Sequence, residues 1–463
     1  MHYESVGGQT RCIEDEIPFE IPENWNWVRL NNITQYIQRG RSPKYSDIRQ
    51  YPVLAQKCNQ WNGITLEKAL FIDPATVSKY GEERFLQDND IVVNSTGTGT
   101  LGRIGIFSRD CLGLYAAIVA DSHITVIRGL NISMRYLYCL LCSFLYQKWL
   151  EDHADGSTNQ KELYIGTIQS ILIPLPPLAE QKRIVEKIES VLAQVDTIDA
   201  ESKKLEVLAT QSKSKILDLA IRGKLVPQDP NDEPASVLLE RIQKEKQKLV
   251  KAGKIKAEKQ TSFIFRDSDN RHYETIGNQI RCIQDEIPFE IPENWCWCRL
   301  GNVIHIGPRN NLPDDLIVSF VPMTLIGDGY QNNHSAEKRK WKDIKTGFTH
   351  FAEGDIGIAK ITPCFENRKS TIFRGLLNGY GAGTTELHIL RMYHGTINSL
   401  YVLAFCKSPT FITGGVDTYT GTAGQQRVGR DYVANTLFPL PPLGEQHRIV
   451  TEVENLLEIC GRL

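Results

Sequence analysis

His2 to Ile33 reads HYESVGGQTRCIEDEIPFEIPENWNWVRLNNI, and His272 to Val303 reads HYETIGNQIRCIQDEIPFEIPENWCWCRLGNV; at an offset of 270, 23 of these 32 positions are identical. A second pair follows at an offset of 265: Pro174 to Val185 is PLPPLAEQKRIV and Pro439 to Val450 is PLPPLGEQHRIV. The chain is therefore written twice, each copy opening with IPFEIPENWxW and closing with PLPPLxEQxRIV, and such a repeat decides the architecture. Between these brackets the copies diverge, but a skeleton survives at the offset of 265. Asp90-Ile91 matches Asp355-Ile356, His123 matches His388, and Gly156 and Gln160 match Gly421 and Gln425. A shared frame with different contents predicts two domains of one fold that bind different things. A duplicated domain without a binding role does not explain why the connectors stayed alike while the interiors drifted.

After each PLPPL the pattern turns helical, with proline where a helix tolerates it, at the start. A heptad seam follows in steps of four and three: Ile184, Ile188, Val191, Val195, Ile198, Ser202, Leu205, Ala209, Ser212, Ile216 and Leu219. The second copy keeps the register with Ile449, Val453, Leu456, Cys460 and Leu463. A helix over roughly 180–220 is about 60 Å long at ~1.5 Å per residue. One apolar stripe of that length needs a partner, and the helix of the second copy is the natural one; a lone amphipathic helix lying on a domain is the alternative. The second helix is roughly half as long, so residues 234–252, the N-terminal segment or another subunit must cover the far seam. IRGKLVPQDPNDEPASV is turn-rich, and a basic amphipathic helix is expected from Ala235 to Lys251, a solvated face and linker in the ordinary case.

With 463 residues the chain is too long for one core, and its 41% hydrophobic and 23% charged composition is globular. No apolar run reaches the ~20 residues of a membrane span; Tyr136 to Leu150 reads as one buried helix. The N-terminus lacks a basic region leading into an apolar one, so no signal peptide is expected and the cytoplasm is. Eleven cysteines, an odd number, point to reduced thiols rather than a disulfide scaffold. The single CxxC, Cys139 and Cys142, lies in an apolar helical segment with no second pair to complete a zinc site, so core packing is expected there. A net charge of −2 argues against a chain that coats nucleic acid indiscriminately, but not against a reader with local basic patches.

Gly97, Gly99 and Gly102 spell GxGxxG, but RIGIFSRD after them alternates like a strand, whereas a dinucleotide loop must open a helix. A loop near a ligand, or a turn, fits better. Asp314, Asp343 and Lys345 form a loose nuclease-like pattern without a counterpart in the first copy. There is no phosphate-loop motif, no HExxH and no Asn-Pro-Pro-aromatic motif. Neither a metal site nor a cofactor site nor catalytic machinery is read from the chain.

An IPxxWxW entrance, a variable α/β segment and PLPPLxEQxRIV leading into a long helix, all twice, resemble the specificity subunit of type I restriction-modification enzymes. The resemblance covers essentially the whole chain, and LPPLAEQKRIV and GKLVPQDPNDEPASVLLERI are its specific stretches. It implies an α/β fold with two target recognition domains, 34–170 and 304–435, held apart by two helical regions that pair antiparallel. The remaining segments are 1–33 and its repeat 271–303, the central helical region and linker 171–270, and the short helix 436–463. It also implies a non-catalytic reader of double-stranded DNA. Its partners would be modification subunits, two of them from the internal two-fold character, and restriction subunits. S-adenosylmethionine, ATP and Mg2+ would sit on those partners and not on this chain.

Base contacts require Arg, Lys, Gln, Asn and small hydroxyl residues on loops. In the first domain the candidates are Arg39, Arg41, Ser42, Lys44, Tyr45, Gln56, Lys57, Asn59, Asn94, Ser95, Thr98, Thr100, Ser157, Thr158, Asn159, Gln160 and Lys161. In the second they are Arg309, Asn310, Asn311, Lys338, Arg339, Lys340, Lys342, Lys360, Arg368, Lys369, Thr422, Gln425, Gln426 and Arg427. The net charge is +1 over residues 31–170 and +3 over 301–435, so the reading faces must be basic by segregation. Three other readings are open: a specificity partner of a fused methyltransferase-nuclease, a stand-alone nuclease, and an architectural scaffold.

Overall fold

The computed structural model describes residues 1–97, 99–157, 160–256, 262–393, 395–422 and 424–462. It divides into two compact units, Met1–Asp199 and Ala200–Leu463. Each is mixed α/β, and each contains one copy of the repeat.

In the first unit a four-stranded antiparallel sheet runs in the order Ile104–Ile106, Ile91–Asn94, Ile124–Gly129, Thr34–Arg39. The second unit repeats it as Ser370–Ile372, Ile356–Ala359, Leu387–Met392, Ile304–Ile306. A second sheet in each unit is built on a short parallel pair, Pro52–Leu54 with Val119–Ala120 and Ile317–Val321 with Tyr380–Gly383. The fourth strand of this sheet is added on opposite sides in the two units: Tyr45–Ser46 joins Leu70–Ile72, whereas Thr349–Ala352 joins Tyr380–Gly383. The interiors thus drifted in strand arrangement as well as in side chains.

The brackets stayed alike because they pair with each other. Asn26–Arg29 lies antiparallel to Leu172–Leu175, placing Trp27 opposite Pro174; Cys296–Arg299 and Leu437–Leu440 repeat this with Trp297 opposite Pro439. Proline is tolerated because each is a two-stranded ribbon with free edges. The glutamine of PLPPLxEQ closes the joint. Gln181 Oε1 accepts from Ser133 N and its Nε2 donates to Pro176 O, both at 2.9 Å. Gln446 does the same with Asn398 N and Pro441 O, again at 2.9 Å. Tyr136 and Tyr401 donate their hydroxyls to Pro174 O and Pro439 O at 2.7 and 2.9 Å. Entry and exit of each domain are therefore tied at one point.

The central helix is continuous from Leu178 to Ile221, and a second helix runs from Ala235 to Lys251, as the periodicity predicts. Gly223 ends the first with φ +65° while Lys224 N bonds back to Leu219 O, a glycine C-terminal cap. The seam residues divide between core and surface. Ile184 and Ile188 begin it, but Ile184 packs, with the buried Val185, on the globular core of the first unit. Ile449 and Val453 are buried in the core of the second, and Leu456 is half-buried. Val191, Val195, Ile198 and Leu205 are 42, 46, 63 and 40% exposed. The Ala235–Lys251 helix packs on Leu217, Ala220 and Ile221 instead of covering that stretch. The reason is that Leu238, Leu239 and Ile242 find a closed core at the end of the central helix.

Tyr136–Leu150 is two helices, Met134–Leu141 and Phe144–Asp152, because Ser143 takes an extended conformation (ψ 152°) and starts the second. Cys139 and Cys142 are half-buried in the first and at its C-terminal cap, and no group of three potential metal ligands occurs among the described residues. Among those residues, too, no helix is long and apolar enough to cross a membrane.

Candidate nucleic-acid interface

The main sheet of each unit ends in a cluster of polar loops. In the first unit Ile91–Asn94 runs into the glycine loop, whose Gly97, Gly99 and Gly102 all have positive φ. A strand, Ile104–Ile106, follows and not a helix, so the loop has no phosphate-binding helix N-terminus. Thr96 is the hub. Its hydroxyl lies 2.8 Å from His123 Nδ1 and accepts from Gln56 Nε2 at 2.7 Å, and it forms a bridge with Glu162. Arg39, at the end of its strand, pairs with Glu162 and donates to Leu163 O at 2.7 Å. Ser42 Oγ donates to Ser122 Oγ at 3.1 Å, which brings the Arg41–Tyr45 loop beside His123.

The second unit builds the same edge from other residues. Ile361 bridges Arg427 at the positions equivalent to Thr96 and Glu162. Leu163 N donates to Ser95 O and Val428 N to Lys360 O, each at 2.8 Å, so the backbone join is identical. The hairpin bearing Thr422 and Gln425, closed by Thr420 and Arg427, matches the one over Asp155–Glu162. Arg427 grips Glu386 at 2.9 and 3.1 Å, and that hydrogen bond holds the Glu386 carboxyl below the usual range. His388 bonds to Val428 O at 2.9 Å, and burial lowers its pKa, favouring the neutral ring.

The cluster thus gathers Arg39, Ser42, Gln56 and the glycine loop carrying Thr100 in one unit, and Lys360, Gln426 and Arg427 in the other. Lys57 is exposed beside Gln56 and Lys161 half-buried beside Glu162. Ser157 and Gln160 pair across their hairpin. Thr98, Thr158 and Asn159 lie outside the described residues. Arg41 donates to Lys79 O, Lys44 pairs with Asp73, and Tyr45 is 48% exposed. Thr96, His123 and Glu162 are absent from the sequence candidates, although the matched His123 and His388 already marked this place.

Other candidates are buried or lie elsewhere on the surface. Asn59, Asn94 and Ser95 are fully buried: Asn59 Nδ2 donates to Asn94 Oδ1 at 2.9 Å, and Ser95 Oγ is 2.5 Å from Thr125 Oγ1. Their side chains fasten the strand end and present no edge to a base. Arg368 donates to Lys407 O and stacks over Tyr330, while Lys369 pairs with Asp328 with its side chain 15% exposed. Asn310 bonds Phe351 O and accepts from Arg391, and Arg309 donates to Phe348 O; Asn311 is exposed beside them. Lys338, Arg339 and Lys340 stand exposed on the outer strand of the other sheet, with Arg339 over Phe320, and Lys342 follows them, also exposed. Lys345 pairs with Asp314 at 2.8 Å as an exposed surface ion pair.

Residues 22–207 match the family described as type I restriction modification DNA specificity domain. Over 249 residues the chain is 49% identical to the EcoAI specificity subunit and 47% identical to the EcoEI specificity subunit, both type I restriction enzymes of Escherichia coli. Each alignment covers 54% of this chain and 39% of the relative, so the chain spans about two fifths of their length. Among solved structures, the HsdS subunit from Thermoanaerobacter tengcongensis aligns over 96% of this chain and 92% of its own, with a TM-score of 0.53 and 17% identity. A chain from a structure of the type I R-M system aligns over 96% and 93%, with a TM-score of 0.55 and 16% identity. These two likenesses bear on the fold, and the α/β architecture with a long helix agrees with it. The resemblance read from the sequence is borne out as a likeness: residues 22–207 match the type I restriction modification DNA specificity domain, and about half of the chain is similar to specificity subunits of type I restriction enzymes.

Proposed function

We propose that the chain is the DNA-reading subunit of a type I restriction-modification complex, with recognition domains at 34–170 and 304–435. The observation that carries this reading is one polar edge built twice on the same backbone join with unlike side chains, Thr96 and Glu162 against Ile361 and Arg427. One such edge reads only a few base pairs, each worth ~1–3 kcal/mol of discrimination. Two edges on one chain read two half-sites, the second contact becoming intramolecular. The target is therefore bipartite, with two short specified blocks around an unspecified gap, and asymmetric because the edges differ.

The chain itself is non-catalytic in this reading. Adenine methylation with S-adenosylmethionine belongs to modification subunits, two per chain, and ATP- and Mg2+-dependent cleavage to restriction subunits. The test is single-molecule methylation mapping of the host genome with and without the gene. Loss of N6-methyladenine at one gapped, asymmetric motif is the expected result. A methylome that does not change overturns the reading.

A further inference from the structure

A short hairpin beside the polar edge of the first unit holds a tryptophan out of the protein. Asn59–Gln60 pairs with Gly63–Ile64, and Trp61 and Asn62 form the turn between them. The base of this hairpin is sealed. Cys58 is fully buried and its carbonyl accepts from Thr65 N at 2.9 Å. Asn59 Nδ2 donates to Asn94 Oδ1 and to Arg103 O at 2.9 and 3.1 Å. Arg103 returns the contact, its Nη1 donating to Asn59 O at 3.1 Å and to Gln60 Oε1 at 2.6 Å. A Cβ on Gly105 would clash with Asn59 Oδ1, so glycine lets the strand and the hairpin approach. The tip is the opposite. Trp61 is 57% exposed and packs into none of the first unit's cores among the described residues. The Arg103 guanidinium lies over its ring, 5.8 Å from the centroid, a cation–π distance.

The second unit carries the same bracket in another setting. Arg103 and Arg368 correspond at the offset of 265, and Arg368 lies over Tyr330, 5.2 Å from its centroid, in the turn closed by the Ile326–His334 bridge. There the tip folds inward. Tyr330 is half-buried against the helical core, and Lys407, 3% exposed, donates to Gly329 O and Arg368 O at 2.8 Å each. Internal packing accounts for Tyr330 and leaves Trp61 without a use. A lone exposed aromatic is ordinary. Trp61, however, is mounted by bonds at its base, under a cation, on the flank of the polar edge. Gln56, five residues before it, donates to Thr96 O and Oγ1, and Gly102, next to Arg103, belongs to the glycine loop. Lys57 and Asn62 are exposed beside it.

We propose that Trp61 is a stacking wedge: its indole enters the duplex at the first unit's half-site, lies on the face of a base and opens one step of the stack. Tyr330 makes no such contact. This inference rests on the DNA-reading proposal and deepens it, because the wedge reads how readily a step unstacks and not a groove edge. The ring is held in place before contact, so little side-chain freedom is lost on binding. Arg103 and Lys57 stand alongside to meet the flanking phosphates. Pyrimidine–purine steps open most easily, so a preference for one at this position follows.

The test uses the full chain and a duplex carrying the gapped motif from the methylation map. 2-Aminopurine is placed at one position after another across each specified block and its flanks. Binding of the unaltered chain should raise 2-aminopurine fluorescence at one step in or beside one block. Trp61→Phe should keep that signal. Trp61→Ala should abolish it and weaken binding about 5- to 150-fold, equivalent to ~1–3 kcal/mol for one stacked base. Because the ring is exposed, Trp61→Ala should melt with the unaltered chain. Undiminished binding or an undiminished signal with Trp61→Ala overturns the wedge and leaves DNA reading standing. So does a Phe variant as weak as the Ala variant. An unaltered chain that does not prefer the motif duplex to a scrambled one overturns DNA reading itself, and the wedge with it.

Discussion

Arg128 clasps Asp90 through two bonds, Nε to Oδ1 at 2.8 Å and Nη2 to Oδ2 at 2.6 Å, and Asp90 is 1% exposed. Arg391 clasps Asp355 in the second unit in the same way, at 2.8 and 2.7 Å. Each aspartate also fastens its turn, accepting from Gln87 N or Ala352 N, at the head of the strand that ends in the polar edge. Removing one partner of a buried pair leaves the other charge without compensation, at a cost of ~3–5 kcal/mol. Asp90→Ala should lower stability by about that amount, and Asp355→Ala by less, because the Arg391 side chain is 31% exposed and stays partly hydrated. Calorimetry should show each substitution depressing the melting of its own unit.

A second pair of clasps predicts a pH dependence. Hydrogen bonding from Arg29 holds the Glu4 carboxyl down to about 2. At Glu274 burial works the other way, yet the bonds from Arg299 and Arg281 bring it to about 2 as well. A carboxyl lowered on folding contributes stability that is complete above the unfolded value near 4.5 and is lost as pH falls through about 2. Urea melts should therefore show the deficit of Glu274→Gln against the unaltered chain shrinking between pH 4.5 and 2. A deficit independent of pH would contradict the clasp.

The polar edges should act separately. On the DNA-reading proposal, Arg427→Gln in the second unit should alter discrimination in one half of the proposed bipartite target only, by about 5- to 150-fold per base pair, corresponding to ~1–3 kcal/mol. Lys161→Gln should act on the other half. Competition with duplexes altered in one half-site at a time reads this directly.

Asn94 and Asn59 should behave differently, since both are fully buried. Asn59→Ala removes the donor to Asn94 Oδ1 and should cost ~1–3 kcal/mol, the penalty of an unsatisfied buried polar group. Sequence preference should not change. Chemical denaturation and binding to the same set of duplexes separate the two effects.

The division between what was legible and what was not follows from the range of the interactions. Repetition, the helices at 178–221 and 235–251, the glycine loop without a helix after it and the matched His123 and His388 are local patterns, and one strand of text carries them. Sequence also named Arg39, Gln56 and Arg427 as candidates, and the fold brings them to the polar edges, where each bonds a neighbouring residue. It could not separate Gln56 from Asn59, three residues on, since only the packed sheet shows that one faces the edge and the other is sealed beneath it. Nor could it see that the first heptads turn inward. Ile184 and Ile449 satisfy a coiled-coil seam and a globular core equally well, and the choice falls to whichever surface the fold brings against them. Trp25 and Trp295 make the same point most plainly. Identical letters in nearly identical contexts differ in burial and bonding: the Trp295 indole N–H donates to Glu445, which Gln228 also reaches, whereas the Trp25 N–H is buried with no acceptor among the described residues. The difference depends on residues distant in sequence, and coverage is a property of tertiary structure alone.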